Sequence, residues 1–169
     1  MQILAFLLIM TSSLAFSQTE NSKNEYSKMV GDIVFDPKTD NKDFLICPDD
    51  FNYSYQYFNF DSFDYKGEKV AIENEFMKSY DSKKTNKESG LIRIRFIVNC
   101  QGKTDRFRIQ SVDENYKTKE FDKNITEQLL LITKKLDGWK PKKHKGKEVN
   151  YYQYLIFKIE QGQLMEILP

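Results

Sequence analysis

The run Leu91 to Cys100, LIRIRFIVNC, sets Ile92, Ile94, Phe96 and Val98 against Arg93, Arg95, Ile97 and Asn99. A period of two marks a β-strand with one apolar and one mixed face. Asn99 to Thr104, NCQGKT, contains Gly102 and reads as a hairpin connection, and Arg106 to Val112, RFRIQSV, as the return strand with Phe107 and Ile109 inward. The period then changes. Phe121, Ile125, Leu129, Ile132 and Leu136 form the apolar stripe of a helix from about Lys119 to Leu136, with Lys134 and Lys135 in its last turn and Gly138 at C′. Upstream, Ile72, Phe76 and Tyr80 share one face of a shorter helix within GEKVAIENEFMKSYDSK. Val149 to Glu160, VNYYQYLIFKIE, is a strand by its β-branched and aromatic content, and Gly162 turns the chain into a short tail, QLMEILP.

The order helix, strand, strand, helix, strand predicts an α+β fold, a small antiparallel three-stranded sheet with two helices. Its last strand is apolar on both sides. Tyr151, Leu155, Phe157 and Ile159 suit the core, yet Tyr152, Tyr154 and Ile156 line the opposite face. One face of a small antiparallel sheet is normally wet, so either the aromatic segment before Tyr65 or a partner chain covers this one. A last strand at the sheet edge also offers unpaired backbone for β-augmentation.

Three regions follow along the chain: a signal peptide at 1–17, a leader with an aromatic segment at 18–64, and a domain at 65–169. Ile3 to Met10 is apolar, and Ala15-Phe16-Ser17 supplies the small residues of a secretory cleavage site, although no Lys or Arg precedes the run. An uncleaved anchor is the alternative; after cleavage the chain does not span a membrane. Residues 18 to 42 are polar, with a short strand expected at Asp32 to Phe35. Asp43 to Tyr65 is crowded with Phe and Tyr and lacks Lys and Arg, and alternating Tyr53, Tyr55 and Tyr57 suggest a strand packed on the main domain. Export places Cys47 and Cys100 in an oxidising compartment, where a disulfide would tie the leader to the first strand; two separate buried thiols are the alternative.

Charge and candidate chemistry then narrow the function. A formal net charge of +1 argues against nucleic-acid binding, despite the basic run GWKPKKHKGKEV at 138–149. The single His144 sits among those lysines with no nucleophile motif to serve, and is expected to face solvent. Gly102-Lys103-Thr104 resembles the end of a phosphate loop, but Ile97 stands where that loop needs glycine. Asp49-Asp50 and Asp113-Glu114 read as surface charge, and the sequons at Asn52 and Asn124 are short enough to arise by chance. No catalytic, cofactor-binding or metal residues are expected, so no cofactor is.

In order along the chain stand Gly90, an alternating strand with Phe96, Val98 and Asn99, then Gly102, a helix, Trp139, Pro141, Gly146, Lys147 and a strand ending Phe157-Lys158-Ile159. This set resembles the C-terminal domain of the TonB energy-transducer family over about residues 65 to 162, with Tyr65-Lys66-Gly67 as the lead-in to the first helix. The resemblance implies a periplasmic interaction domain without catalysis or cofactor, with Gly90, Gly102, Trp139, Pro141, Gly146 and Phe157 as its structural motif. It implies that a short extended segment of an outer-membrane receptor, or of another envelope protein, docks along the final strand. Here that strand brings Val149, Tyr151, Tyr152, Tyr154 and Ile156 to the partner; a homodimer stays open. Transducers carry a membrane helix and a long Pro-rich spacer, whereas this chain has four Pro, so the expectation is a stand-alone, secreted or periplasmic form. The alternatives are a small secreted cell-wall-active hydrolase, or a polyanion-binding protein using Lys140 to Lys147.

Overall fold

The computed structural model describes residues 31–48 and 64–168. The expected signal peptide, Tyr53, Tyr55 and Tyr57, Asp49-Asp50 and the Asn52 sequon lie outside these residues. The elements are α1 (Glu68–Ser79), β1 (Gly90–Val98), β2 (Thr104–Val112), α2 (Lys123–Lys135), β3 (Lys142–His144), β4 (Lys147–Val149), β5 (Tyr151–Glu160) and β6 (Gln163–Leu168). An antiparallel sheet runs β2-β1-β5-β6, and β3 and β4 form a separate hairpin. The class is α+β, as the pattern implied.

The sheet has four strands rather than three. The tail folds back as β6, pairing Phe157 with Ile167 and Lys158 with Glu166. A register shift between Lys158 and Ile159 breaks the alternation in the partner strand, which is why QLMEILP carries so weak a strand signal. Asp32 to Phe35, in contrast, is not a strand: residues 31–48 form no regular element.

The period-two pattern of β1 meets β5 in register, with Ile92 opposite Phe157 and Ile94 opposite Leu155. These side chains, with Phe96, Val98, Tyr151 and Ile159, form one face of the core, and both helices pack onto it through Ile72, Phe76, Ile125, Leu129 and Ile132. Each such large apolar side chain, fully buried, contributes about 1.5–3 kcal/mol. Phe76 and Phe157 meet with ring centroids 4.8 Å apart.

Helix α2 starts later than its stripe suggests. Asp122 is its N-cap, accepting from the Asn124 N–H at 2.8 Å, while the Lys119 N–H donates to the Ser111 carbonyl at 3.0 Å. Thr118 and Lys119 are therefore bound along β2, and Phe121 enters the core from outside the helix. The β1–β2 turn closes on Asn99, whose N–H donates to the Lys103 carbonyl and whose Oδ1 accepts from the Gln101 and Lys103 N–H groups. In β2, Arg106 and Phe107 together oppose Phe96. This bulge has Arg106 at φ 60 and sends Arg106 and Phe107 to opposite faces, over Phe35 and against Phe96 respectively.

Candidate interaction surface

The sheet face away from the helices carries Arg93, Arg95, Ile97, Arg108, Tyr152, Tyr154 and Ile156, as the β1–β2 and β1–β5 registers require. Residues 31–48 cover much of it. Ile33 packs with Ile97 and Tyr152 in a second small cluster, with Phe44 at its edge. Lacking a ladder of its own, this segment satisfies its backbone partly in local turns, where Asp36 Oδ1 and Asn41 Oδ1 accept from the Lys38 and Asp43 N–H groups, and partly through side chains of the domain. The Cys47 N–H donates to Asn150 Oδ1 at 3.0 Å, and Asn150 Nδ2 donates back to the Cys47 carbonyl at 2.7 Å. Asn99 Nδ2 donates to the Leu45 carbonyl, and the Ile33 N–H donates to the Tyr152 hydroxyl. Arg108 grips the Asp40 carboxylate with two bonds of 2.7 Å, and Arg95 donates to the Gly31 carbonyl. Burial raises the Asp40 pKa, but the Arg108 hydrogen bonds and charge outweigh it and hold the carboxyl below its ordinary value.

Cys47 and Cys100 are joined in a disulfide, with Cα atoms 6.1 Å apart. The leader is thereby tied to the end of β1, the outcome expected of an exported pair. The expected covers were the aromatic segment before Tyr65 and a partner chain; this part of the face is instead held mainly by Gly31, Ile33 and Asp40 of the polar stretch, with Phe44 at the edge.

The five residues expected to meet a partner are not equivalent. Val149 ends β4 and is buried; Tyr151 lies in the main core with its hydroxyl donating to the Lys140 carbonyl; Tyr152 is buried under Ile33. Burial pushes the Tyr151 hydroxyl well above the ordinary tyrosine value and raises that of Tyr152. The chain itself occupies the surroundings of these three side chains. Tyr154 and Ile156 are half-buried, Tyr154 with the Arg93 guanidinium 4.5 Å from its ring centroid.

Nor is this strand the last of the sheet, since β6 lies beside it. Strand β5 pairs with β1 along Tyr151–Ile159 but with β6 only from Ile156 to Glu160. On its β6 side, among the described residues, no strand pairs with Tyr151–Leu155.

The glycines and aromatics of the motif converge on one corner. Trp139 is buried, its ring 5.0 Å from Tyr65 and 5.2 Å from Phe96. The Lys66 N–H donates to the Gly138 carbonyl and the Lys140 N–H to the Asp64 carbonyl, so the lead-in to α1 runs alongside Gly138 to Lys140. Gly102 supports that pairing from below at φ +72, and a Cβ there would come within 2.4 Å of the Trp139 carbonyl oxygen. Gly90 opens β1 against the Val112 carbonyl, and Phe157 is fully buried. Pro141 is exposed and leads into β3.

The lysine-rich connector is a hairpin. Lys145 at φ 49 and Gly146 at φ 82 make its two-residue turn, the pair of left-handed conformations that a tight hairpin needs. Its lysines are not all solvated as expected. Lys142 is half-buried, ion-paired with Asp64, and 4.3 Å from the Tyr151 ring centroid. Burial lowers its pKa while Asp64 opposes the shift. His144 is half-buried opposite Lys147, rather than turned fully to solvent.

Sequence reasoning missed Asn99 and Asn150 as anchors for the leader, and the Asp40–Arg108 pair. A signal existed: two asparagines flank the two central strands, where buried amides are retained only with partners. Among the described residues, no helix is long and apolar enough to cross a membrane. Compared with models of known protein families, with curated proteins and with solved structures, the chain matches none.

Proposed function

We propose that the chain is a non-enzymatic interaction domain of the TonB C-terminal type. It works in the periplasm or outside the cell and takes an extended segment of an outer-membrane receptor or another envelope protein. The observation that carries this reading is the pairing of strand β5, which among the described residues meets β6 only from Ile156 to Glu160. Where β6 stops at Leu168, opposite Ile156, the backbone of Tyr151–Leu155 has no strand beside it among the described residues. A peptide entering there would continue the line of β6 and gain main-chain hydrogen bonds from a strand already fixed by β1. Specificity would come from side chains at its margins, with half-buried Tyr154 on one face and Gln153 on the other. The ordered motif from Gly90 to Ile159 supports the family reading, and the disulfide fits an oxidising compartment.

The partner surface is thus narrower than the sequence implied: the backbone of 151–155 with Tyr154 and Ile156, rather than five side chains along the strand. The polyanion reading has less support, because Lys142 is committed to Asp64 and formal net charge is only +1. A photo-crosslinking residue in place of Tyr154 tests the proposal in intact cells. It is expected to yield a discrete adduct with an envelope protein, while the same residue in place of Met77, exposed on α1, yields none. Identical background from both positions would sink it.

A further inference from the structure

Residues 31–48 lie as a strap over the sheet and contribute no side chain to the main apolar cluster. Among the described residues, the main cluster is drawn from residues between Tyr65 and Ile167, and Ile33 and Phe44 belong to the second cluster. Among the described residues, strap and sheet are joined by polar contacts, by the Ile33 cluster, by Phe35 under Arg106 and by the disulfide of Cys47 to Cys100.

We propose that this disulfide is a latch, a site of thiol–disulfide exchange with a dithiol protein, and that its reduction releases the strap while the domain stays folded. The two sulfurs differ in access. Cys47 is buried at 5% exposure beneath its bonds to Asn150, while Cys100 is half-buried in the β1–β2 turn, so attack falls on Cys100. A thiolate of the dithiol bonds to Cys100 Sγ, and the Cys47–Cys100 bond breaks with its electron pair leaving on Cys47 Sγ, which takes a proton. The second thiol, as thiolate, then attacks the sulfur of its own protein in the mixed disulfide and expels Cys100 as thiolate. Two electrons pass to the cysteine pair, and the dithiol becomes a disulfide.

Release uncovers Arg95, Arg106, Arg108, Ile97 and Tyr152, and the strap's own contacts show what that face accepts. Arg108 takes a carboxylate in a two-bonded fork and also donates to the Val34 carbonyl, while Arg95 donates to the Gly31 carbonyl. An extended segment bearing carboxylates fits it.

Hydrogen exchange on the full chain, oxidised and then reduced by a small dithiol, tests the latch. The reporters are the amides of Ile33, Asn41 and Cys47, which donate to Tyr152, Asp105 and Asn150. Their exchange should quicken by about 10- to 1,000-fold, the upper figure being the whole loop-closure contribution of the bond. Amides of Ile92 to Phe96 should keep their protection. The Cys47→Ser/Cys100→Ser double variant should match the reduced protein. Unchanged strap protection would show that the bond is no latch, and loss of protection in β1 would show that it is a staple of the whole fold; either overturns the proposal. A dithiol protein lacking its second cysteine should be trapped on Cys100, and trapping on Cys47 would overturn the assigned direction of attack.

Discussion

Replacing Gly102 by alanine should be among the most damaging single-methyl changes available to this chain. Two costs combine. A residue with a side chain at φ +72 costs about 1–2 kcal/mol relative to glycine. The new Cβ would also stand 2.4 Å from the Trp139 carbonyl oxygen, which is backbone held by the pairing of Gly138 and Lys140 with Lys66 and Asp64. That overlap cannot be relieved by turning a rotamer, so an overpacking cost of about 1–3 kcal/mol is expected in addition. Gly146 provides the control: its φ is +82, yet a Cβ there meets nothing within 4 Å. Gly146→Ala should therefore lose only the conformational part. The protein has one tryptophan, so urea unfolding followed by its fluorescence reports from the perturbed corner itself. Gly102→Ala should lower the unfolding midpoint by roughly 1 M more than Gly146→Ala, from a difference of about 2 kcal/mol and a typical urea slope. Equal losses in the two variants would refute the close packing of the β1–β2 turn against Trp139.

Two further outcomes follow from the way the leader is held. Asn150→Ala orphans the buried N–H and carbonyl of Cys47 and should cost about 2 kcal/mol in thermal unfolding; an unchanged transition would mean that those groups have other partners. Asp40, with its pKa held below the ordinary carboxylate value, contributes stability that is fully present above about pH 4 and is lost as pH falls through the depressed folded value. Wild type should therefore lose stability more steeply than Asp40→Asn as pH falls below about 4, and parallel acid limbs would contradict the Asp40–Arg108 pair.

Strand β1 was legible because Ile92, Ile94, Phe96 and Val98 alternate without a break and all face the helices, Ile97 alone among the buried apolar residues of the strand facing the other way. The helices were legible from their stripes, although the start of α2 was not, because Asp122 caps a helix whose apolar pattern already runs through Phe121. Strand β6 escaped because Met165 falls where the register shifts, and the remaining alternation is too short to separate from a tail. The leader escaped for a deeper reason. Its turns at Asp36 and Asn41 are local, but its place on the sheet comes from side chains far along the chain, Asn99, Arg108, Asn150 and Tyr152, and no local pattern in residues 31–48 encodes contacts of that separation. The turn at Lys145-Gly146 lacks the asparagine or aspartate that usually announces a tight hairpin, so its lysines read as a connector. For the candidate surface, composition marked β5 as apolar on both faces. Which part of it β6 covers is a property of pairing, which composition does not encode.

The central claim is that β5 takes a partner strand along Tyr151–Leu155. Amide exchange and chemical shifts of this stretch, followed by NMR during titration with an extended peptide from the periplasmic end of an outer-membrane receptor, test it most directly. The account predicts that shifts and new protection concentrate at 151–155 and at Leu168, while α1 and β2 stay unchanged. Saturable binding that leaves 151–155 unperturbed would contradict it.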